Sequence, residues 1–109
     1  MMKKQKKFRF KKTQIFKDWL DALKDEDVKD CIDRRIRRAE DGNFGKGRVN
    51  IAEGVSEMKI NYGPGYRLYY CQRGKTIYLL LTGGDKSTQQ NDVKLAKAIK
   101  IRVERGEKC

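Results

Sequence analysis

The sequence predicts an α+β domain, in which a small antiparallel sheet carries an N-terminal helical hairpin on one face and is followed by a C-terminal helix. Apolar residues recur at helical spacing over residues 13–40, alternate with polar residues over residues 48–82, and return to helical spacing near residue 88. Strands joined by short turns pair antiparallel, and successive helices cover one face of such a sheet. The length fits a single domain over residues 1–109, whose basic start at residues 1–7 is expected to fray.

A short strand and two helices are expected first. Phe8 and Phe10 alternate with Arg9, which predicts a strand, and Thr13 is a residue type that caps helix N-termini. One apolar face predicts the first helix, formed by Ile15, Phe16, Trp19, Leu20 and Leu23. The acidic residues 25–27 suit the positive N-terminal end of a second helix. The buried stripe of that helix is expected to consist of Val28, Cys31, Ile32, Ile36 and Ala39.

The remainder of the chain predicts a meander of strands and a last helix. Glycine-rich residues 42–47 are expected to end the second helix in a loop, and Gly63-Pro64-Gly65 has the composition of a tight turn. The expected strands cover residues 48–52, 55–62, 66–72 and 76–82. The last strand is apolar on both faces, as a central strand is. Gly83-Gly84 is expected to end it, before a helix over about residues 88–102.

The chain is strongly basic and contains no histidine. Lysine and arginine number 27 against 15 acidic residues, which gives a net charge of +12. This charge suits a polyanion such as RNA or DNA, or an acidic protein, unless it serves solubility alone. The absence of histidine excludes Ser–His and Cys–His catalysis. The cysteines at positions 31, 71 and 109 include no CxxC pair, so we expect neither a metal site nor a cofactor.

The cellular compartment is indicated by what the sequence lacks. No stretch has the length and apolar character of a signal peptide or of a membrane span. The odd number of cysteines is not a disulfide framework. We therefore expect a reduced, soluble protein of the cytoplasm that does not associate with membranes.

The first candidate site is the stretch Ile60–Tyr70, INYGPGYRLYY, in which an arginine interrupts an aromatic run. Strand alternation places Arg67, Tyr69 and Cys71 on one face. Pairing across the turn brings Lys59 to the same face, which is expected to be open and turned away from the helices. Cations and a tyrosine on an open sheet suit RNA, because phosphates take the charges and bases stack on rings. The alternative is a solvent-exposed face with incidental charges.

The second candidate site is the segment at residues 83–90, GGDKSTQQ. Two glycines between a buried strand and a helix could form a small anion site from backbone N–H groups, with Lys86 as an added charge. The alternative is an ordinary strand-to-helix turn capped by Asp85 or Ser87, and Ser87 with Gln90 also has the spacing of a capping box. The P-loop motif is absent, so nucleotide hydrolysis is not expected.

Five pieces of the sequence, in order between about residues 8 and 100, together resemble one protein family. They are Phe16-x-x-Trp19-Leu20-x-x-Leu23, Gly42-Asn43-Phe44-Gly45, residues 53–57 (EGVSE), residues 62–67 (YGPGYR) and residues 83–90 (GGDKSTQQ). The set resembles the HigB-like branch of the RelE/ParE toxin superfamily, the addiction module killer proteins of bacterial type II toxin–antitoxin systems. The resemblance implies a RelE-like fold, a toxin that is monomeric alone, and a hetero-oligomer with a cognate helix-turn-helix antitoxin.

The resemblance also implies an activity and its residues. Relatives of the RelE and HigB kind cleave mRNA in the ribosomal A site without a metal ion, by attack of an RNA 2′-hydroxyl on the adjacent phosphate. Carried over, Arg67 would contact the scissile phosphate, Lys59 is the basic residue of the preceding strand, and Lys86 stands where the best-known relatives have arginine. Lysine lacks the bidentate fork of arginine, which weakens that role. The RNA-binding residues expected beside these are Tyr69, Arg73 and Lys75.

One position departs from the family pattern and keeps other functions open. The tyrosine that some relatives carry early in the last helix has no match, because Asn91 and Asp92 occupy that region. The general acid and base are therefore unassigned, with Asp85 and Asp92 as candidates. The alternatives to an mRNA endonuclease are a ParE-like inhibitor of DNA gyrase without nuclease activity, and a decayed toxin that only binds its antitoxin.

Overall fold

A five-stranded sheet with helices on both faces forms the core of the computed structural model, which describes residues 6–106. The strands occupy the sheet in the order β1-β5-β4-β3-β2. The elements are β1 (Arg9–Lys12), α1 (Gln14–Ala22), α2 (Glu26–Glu40), β2 (Gly47–Ala52), β3 (Val55–Ile60), β4 (Tyr66–Gln72), β5 (Ile77–Asp85), a 3-10 turn (Lys86–Thr88) and α3 (Gln89–Glu104). The predicted α+β class is confirmed.

The sheet is mixed, whereas the sequence predicts an antiparallel one. The four strands β2 to β5 form an antiparallel meander, as expected. The first strand instead runs parallel to β5 at the sheet edge, with Phe10 opposite Tyr78. The prediction is wrong here because alternation within a four-residue strand indicates its conformation but carries no information on its partner or direction.

The first two helices bury apolar residues against one face of the sheet. Thr13 caps α1, as predicted: its hydroxyl accepts a hydrogen bond from the Phe16 N–H at 3.0 Å and donates one to the Leu81 carbonyl at 2.8 Å. Asp25 caps α2 by accepting from the Asp27 N–H at 2.9 Å. The core on this face contains Phe10, Phe16, Val28, Ile32, Ile36, Ala39, Met58, Ile60, Leu68, Tyr70 and Leu80.

The last helix covers the other face of the sheet, which the sequence predicts to be open. Its Ala96 and Ile99 pack with Tyr69, Leu79 and other buried side chains in a second core that also contains Val55, Cys71 and Leu81. The prediction of an open face is therefore wrong over most of β4 and β5. Residues 77–81 are apolar on both sides, and burying both sides requires cover on each face.

Gly83 and Gly84 lie inside β5, which continues to Asp85 instead of ending at the glycines. The predicted strand end is therefore wrong, and of the two alternatives for this segment the structure has the strand-to-helix turn capped by Asp85. A side chain at Gly83 would meet the indole ring of Trp19, and one at Gly84 would meet the carboxylate of Asp92. Both glycines allow close packing onto the strand, a use of glycine that breaks no secondary structure.

The replacement Gly83→Ala is expected to lower the free energy of unfolding by about 1–3 kcal/mol, because the added methyl group overlaps the ring of Trp19 in a filled core. Urea unfolding measures this change. Gly74→Ala is the matched control, since its methyl group would lie 3.9 Å from the Ile77 Cβ, an ordinary contact. An equal stability of the two variants would contradict the tight packing of Trp19 on β5.

The described chain begins at a contact with the end of α2. The ammonium group of Lys6 lies 2.8 Å from a carboxylate oxygen of Glu40, and the N–H of Lys7 donates to the Glu40 carbonyl at 2.9 Å. The remainder of the segment predicted to fray, residues 1–5, lies outside the described residues, as does Cys109. Within residues 6–106, no helix has the length and apolar character needed to cross a membrane.

Candidate functional site

The hairpin of β3 and β4 sets the geometry of the site. Lys59 and Arg67 are direct partners across the two strands, which confirms the predicted register. The intervening turn closes through a hydrogen bond from the Gly65 N–H to the Tyr62 carbonyl at 3.0 Å, and Gly65 adopts a positive φ of 87° that favours glycine. Two cations directly opposite each other repel. Such a pair is expected where an anion binds.

A cleft of about 510 Å³ lies beside this turn, and we call it the hairpin cleft. It is lined by residues 59–67 and by Lys86. The backbone N–H of Lys86 donates to the Gly65 carbonyl at 3.2 Å, which ties the end of β5 to the β3–β4 turn. The structure therefore brings together Lys59, Arg67 and Lys86, and no carboxylate among residues 6–106 lines the cleft. Such a cleft is suited to bind an anion.

Arg67 forms an ion pair, without a hydrogen bond at its Nε, with a buried carboxylate that the sequence analysis does not single out. The side chain of Glu57 is 0% exposed, and its carboxylate lies 3.7 Å from Nε of Arg67, whose side chain is 12% exposed. Arg48, the partner of Glu57 on β2, donates to both carboxylate oxygens at 3.3 Å. A buried carboxylate is tolerated only when it is paired. Strand alternation places Glu57 on the same sheet face as Arg67, and this pattern could have indicated the ion pair from the sequence.

Tyr69 does not lie on an open surface, so its predicted contact with RNA is wrong. The residue is 0% exposed and packs beneath α3, because β4 alternates and places it on the side that this helix covers. Its hydroxyl has no hydrogen-bond partner in the described part of the chain. Burial, followed by the nearby charges of Glu57 and Asp92, raises the pKa of Tyr69 to about 12.

Tyr69→Phe is expected to maintain or raise stability at neutral pH by up to about 1 kcal/mol, because it removes a buried hydroxyl that has no hydrogen-bond partner among residues 6–106. In alkali the wild type should lose stability. Unfolded tyrosine ionises near pH 10, whereas the folded state keeps this proton to about pH 12, so the free energy of unfolding falls as pH rises through that window.

By pH 11, one unit into that window, the loss attributable to Tyr69 is about 1.4 kcal/mol, and the phenylalanine variant should lack it. Urea unfolding of both proteins at pH 7, 10 and 11 measures the difference. Equal pH dependence in the two proteins would mean that the Tyr69 hydroxyl is solvated in the folded state, contrary to its burial.

Arg73 and Lys75 are exposed in the turn after β4, at the opposite end of that strand from Arg67. The strand rises by roughly 3.3 Å per residue, so about 20 Å separate Arg67 from Arg73. Neither residue lines the hairpin cleft. The structure therefore does not bring these two predicted RNA-binding residues to the site.

The two candidate acid–base aspartates occupy different surroundings. Asp85 accepts hydrogen bonds from the Ser87 N–H at 2.8 Å and from the Ser87 hydroxyl, which hold its pKa below the ordinary value. It caps the 3-10 turn, whereas the predicted capping box is wrong because α3 has Thr88 as its N-cap. Asp92 lies against Gly84, the β5 partner of Arg67, and burial raises its pKa although Thr88 donates to it.

Comparison with known proteins identifies a relative. No protein-family model matches the chain. The sequence is 42% identical over 89 residues to an uncharacterized protein of Haemophilus influenzae. The match covers 82% of this chain and 89% of the relative.

Proposed function

We propose that this chain, which belongs to the family of that Haemophilus influenzae protein, is the toxin of a type II toxin–antitoxin module. Its activity would be ribosome-dependent cleavage of mRNA in the cytoplasm, as in the HigB-like branch of the RelE/ParE superfamily that the sequence resembles. The observation that carries the proposal is the hairpin cleft, where Lys59, Arg67 and Lys86 meet and no carboxylate of the described part of the chain lines the wall.

This cleavage reaction depends on stabilising negative charge in the transition state and does not require histidine. When the RNA 2′-hydroxyl attacks the adjacent phosphorus, the bond to the 5′-oxygen of the next nucleotide breaks, and the products are a 2′,3′-cyclic phosphate and a 5′-hydroxyl. Negative charge builds on the phosphate oxygens in the transition state, and fixed cations lower that barrier. Arg67 is suited to this role because β4 places it directly opposite Lys59 and the carboxylate of Glu57 lies 3.7 Å from its Nε before substrate binds.

The finer features of the fold belong to the same proposal. We infer that α1 and α2 form the antiparallel hairpin of the RelE-like fold, which is supported by their three-residue connection over residues 23–25 and their shared core. The toxin would be monomeric alone. A helix-turn-helix antitoxin would neutralise it in a hetero-oligomer, and the net charge of +12 suits an acidic segment of such a partner.

The proposal is tested by adding purified protein to a translating bacterial extract and mapping mRNA 5′ ends by primer extension. We expect new ends within codons of the translated frame, and these ends should move when the frame is shifted by one nucleotide. The same RNA without ribosomes is the control and should stay intact. A parallel supercoiling assay tests the gyrase alternative. Intact mRNA in an active extract would overturn the proposal, and inhibited supercoiling would then favour the ParE-like function.

A further inference from the structure

A second basic cleft adjoins the hairpin cleft on the side of α2. We call it the arginine cleft, and its volume is about 390 Å³. It shares Lys59, Ile60 and Asn61 with the hairpin cleft, so the end of β3 lines both clefts. The other residues that line it are Cys31, Arg34, Arg35, Arg38, Asn43, Gly45 and Lys46. No carboxylate is among them.

The cations of this cleft lack acidic partners among residues 6–106. Arg34, Arg38 and Lys46 take part in no ion pair there, whereas the intervening Arg37 pairs with Asp33 on the same helix. Arg34 and Arg38 are four positions apart and so lie on one side of α2, and both line the cleft, whereas Arg37 does not. Arg37 is thus neutralised outside the cleft, whereas Arg34 and Arg38 bring uncompensated charge to it.

Arg35 strengthens this interpretation because its guanidinium is partly buried without full compensation. It donates to the Asn43 carbonyl of the following loop, and its Nε is buried with no hydrogen-bond partner in the described chain. Burial and then the charge of Arg38 lower the pKa of Arg35. A buried donor beside uncompensated like charges is stabilised by a bound anion.

We propose that the arginine cleft binds the phosphodiester backbone of the same RNA strand whose scissile phosphate lies in the hairpin cleft. The inference rests on the proposed function and extends it from one phosphate to a track of several. Guanidinium forks match phosphate geometry, and the shared Lys59 makes the track continuous between the clefts. Contacts of this kind fix the register of the strand without reading its bases.

The salt dependence of RNA binding tests the assignment. Affinity for a fluorescein-labelled single-stranded RNA is measured by anisotropy from 50 to about 300 mM KCl, for the wild type and for the double variant Arg34→Gln/Arg38→Gln. Each phosphate contact on a single strand contributes about −0.7 to the slope of log K against log salt, so the double variant should lose about 1.4 of that slope. Arg37→Gln, on the same helix, is the matched control and should keep the wild-type slope.

The outcomes separate the inference from the function on which it rests. A wild-type slope in the double variant overturns the arginine cleft as an RNA site, whether or not ribosomal cleavage occurs. A reduced slope in a protein that never cuts mRNA supports the cleft and overturns the proposed endonuclease. If a polyglutamate peptide binds more tightly than RNA, and the double variant no longer binds this peptide, the RNA assignment is overturned in favour of an acidic protein segment. Thermal unfolding establishes that both variants fold.

Discussion

Replacing Arg67 with alanine is expected to lower the rate of mRNA cleavage on the ribosome by about 100- to 1,000-fold, which is the usual effect of removing one preorganised group that stabilises transition-state charge. Among residues 6–106 no other guanidinium lines the hairpin cleft, and Lys59 and Lys86 supply only point charges. Single-turnover cleavage in a reconstituted ribosome complex measures the rate. Arg73→Ala removes an exposed arginine from the far end of the same strand, and its rate should equal that of the wild type.

A second substitution separates catalysis from folding at this position. Arg67→Lys keeps a positive charge beside the carboxylate of Glu57, so its stability should fall less than that of the alanine variant. Its cleavage rate should still fall, because an ammonium group cannot form two parallel hydrogen bonds to phosphate. A lysine variant that cuts at the wild-type rate would contradict the assignment of a guanidinium role to Arg67.

Glu57→Gln is expected to lower the free energy of unfolding by about 3 kcal/mol or more, because removing one member of a buried ion pair leaves the other without compensation. The carboxylate is 0% exposed and contacts Arg48 and Arg67, so the neutral amide retains its shape and loses both charge interactions. For a chain of this size the midpoint of thermal unfolding should fall by roughly 12 °C or more. Circular dichroism during heating measures the shift.

The control for this experiment is Glu53→Gln, at a glutamate that precedes the same strand. Its side chain is 71% exposed, and its carboxylate lies 3.7 Å from the ammonium group of Lys97. Exposed pairs contribute about 0–1 kcal/mol, so stability should hardly change. Equal stability of the two variants would show that Glu57 is not needed to compensate the arginines. Cleavage by the Glu57 variant, measured where it is folded, should also fall because Arg67 loses its support.

The pairing register of β3 and β4 at the site could be predicted because it depends on local geometry. A strand has a period of two, and a short turn fixes which residues face each other, so Lys59 opposite Arg67 follows from the sequence. Other features depend on which distant segments meet. The burial of Tyr69 can be predicted only if the packing position of α3 is known. The contact of Lys86 with the β3–β4 turn depends on β5 continuing through two glycines.

The parallel pairing of β1 with β5 has a consequence for synthesis of the protein. β1 reaches its partner strand 68 residues later in the chain, and the only strand beside it in the described sheet is β5. A nascent chain that has emerged as far as β4 therefore holds β1 as an unpaired edge, and it also lacks Lys86. Long-range pairing of this kind forms late, after the loop between the partners is complete. The hairpin cleft is thus complete only after β5 and Lys86 have emerged.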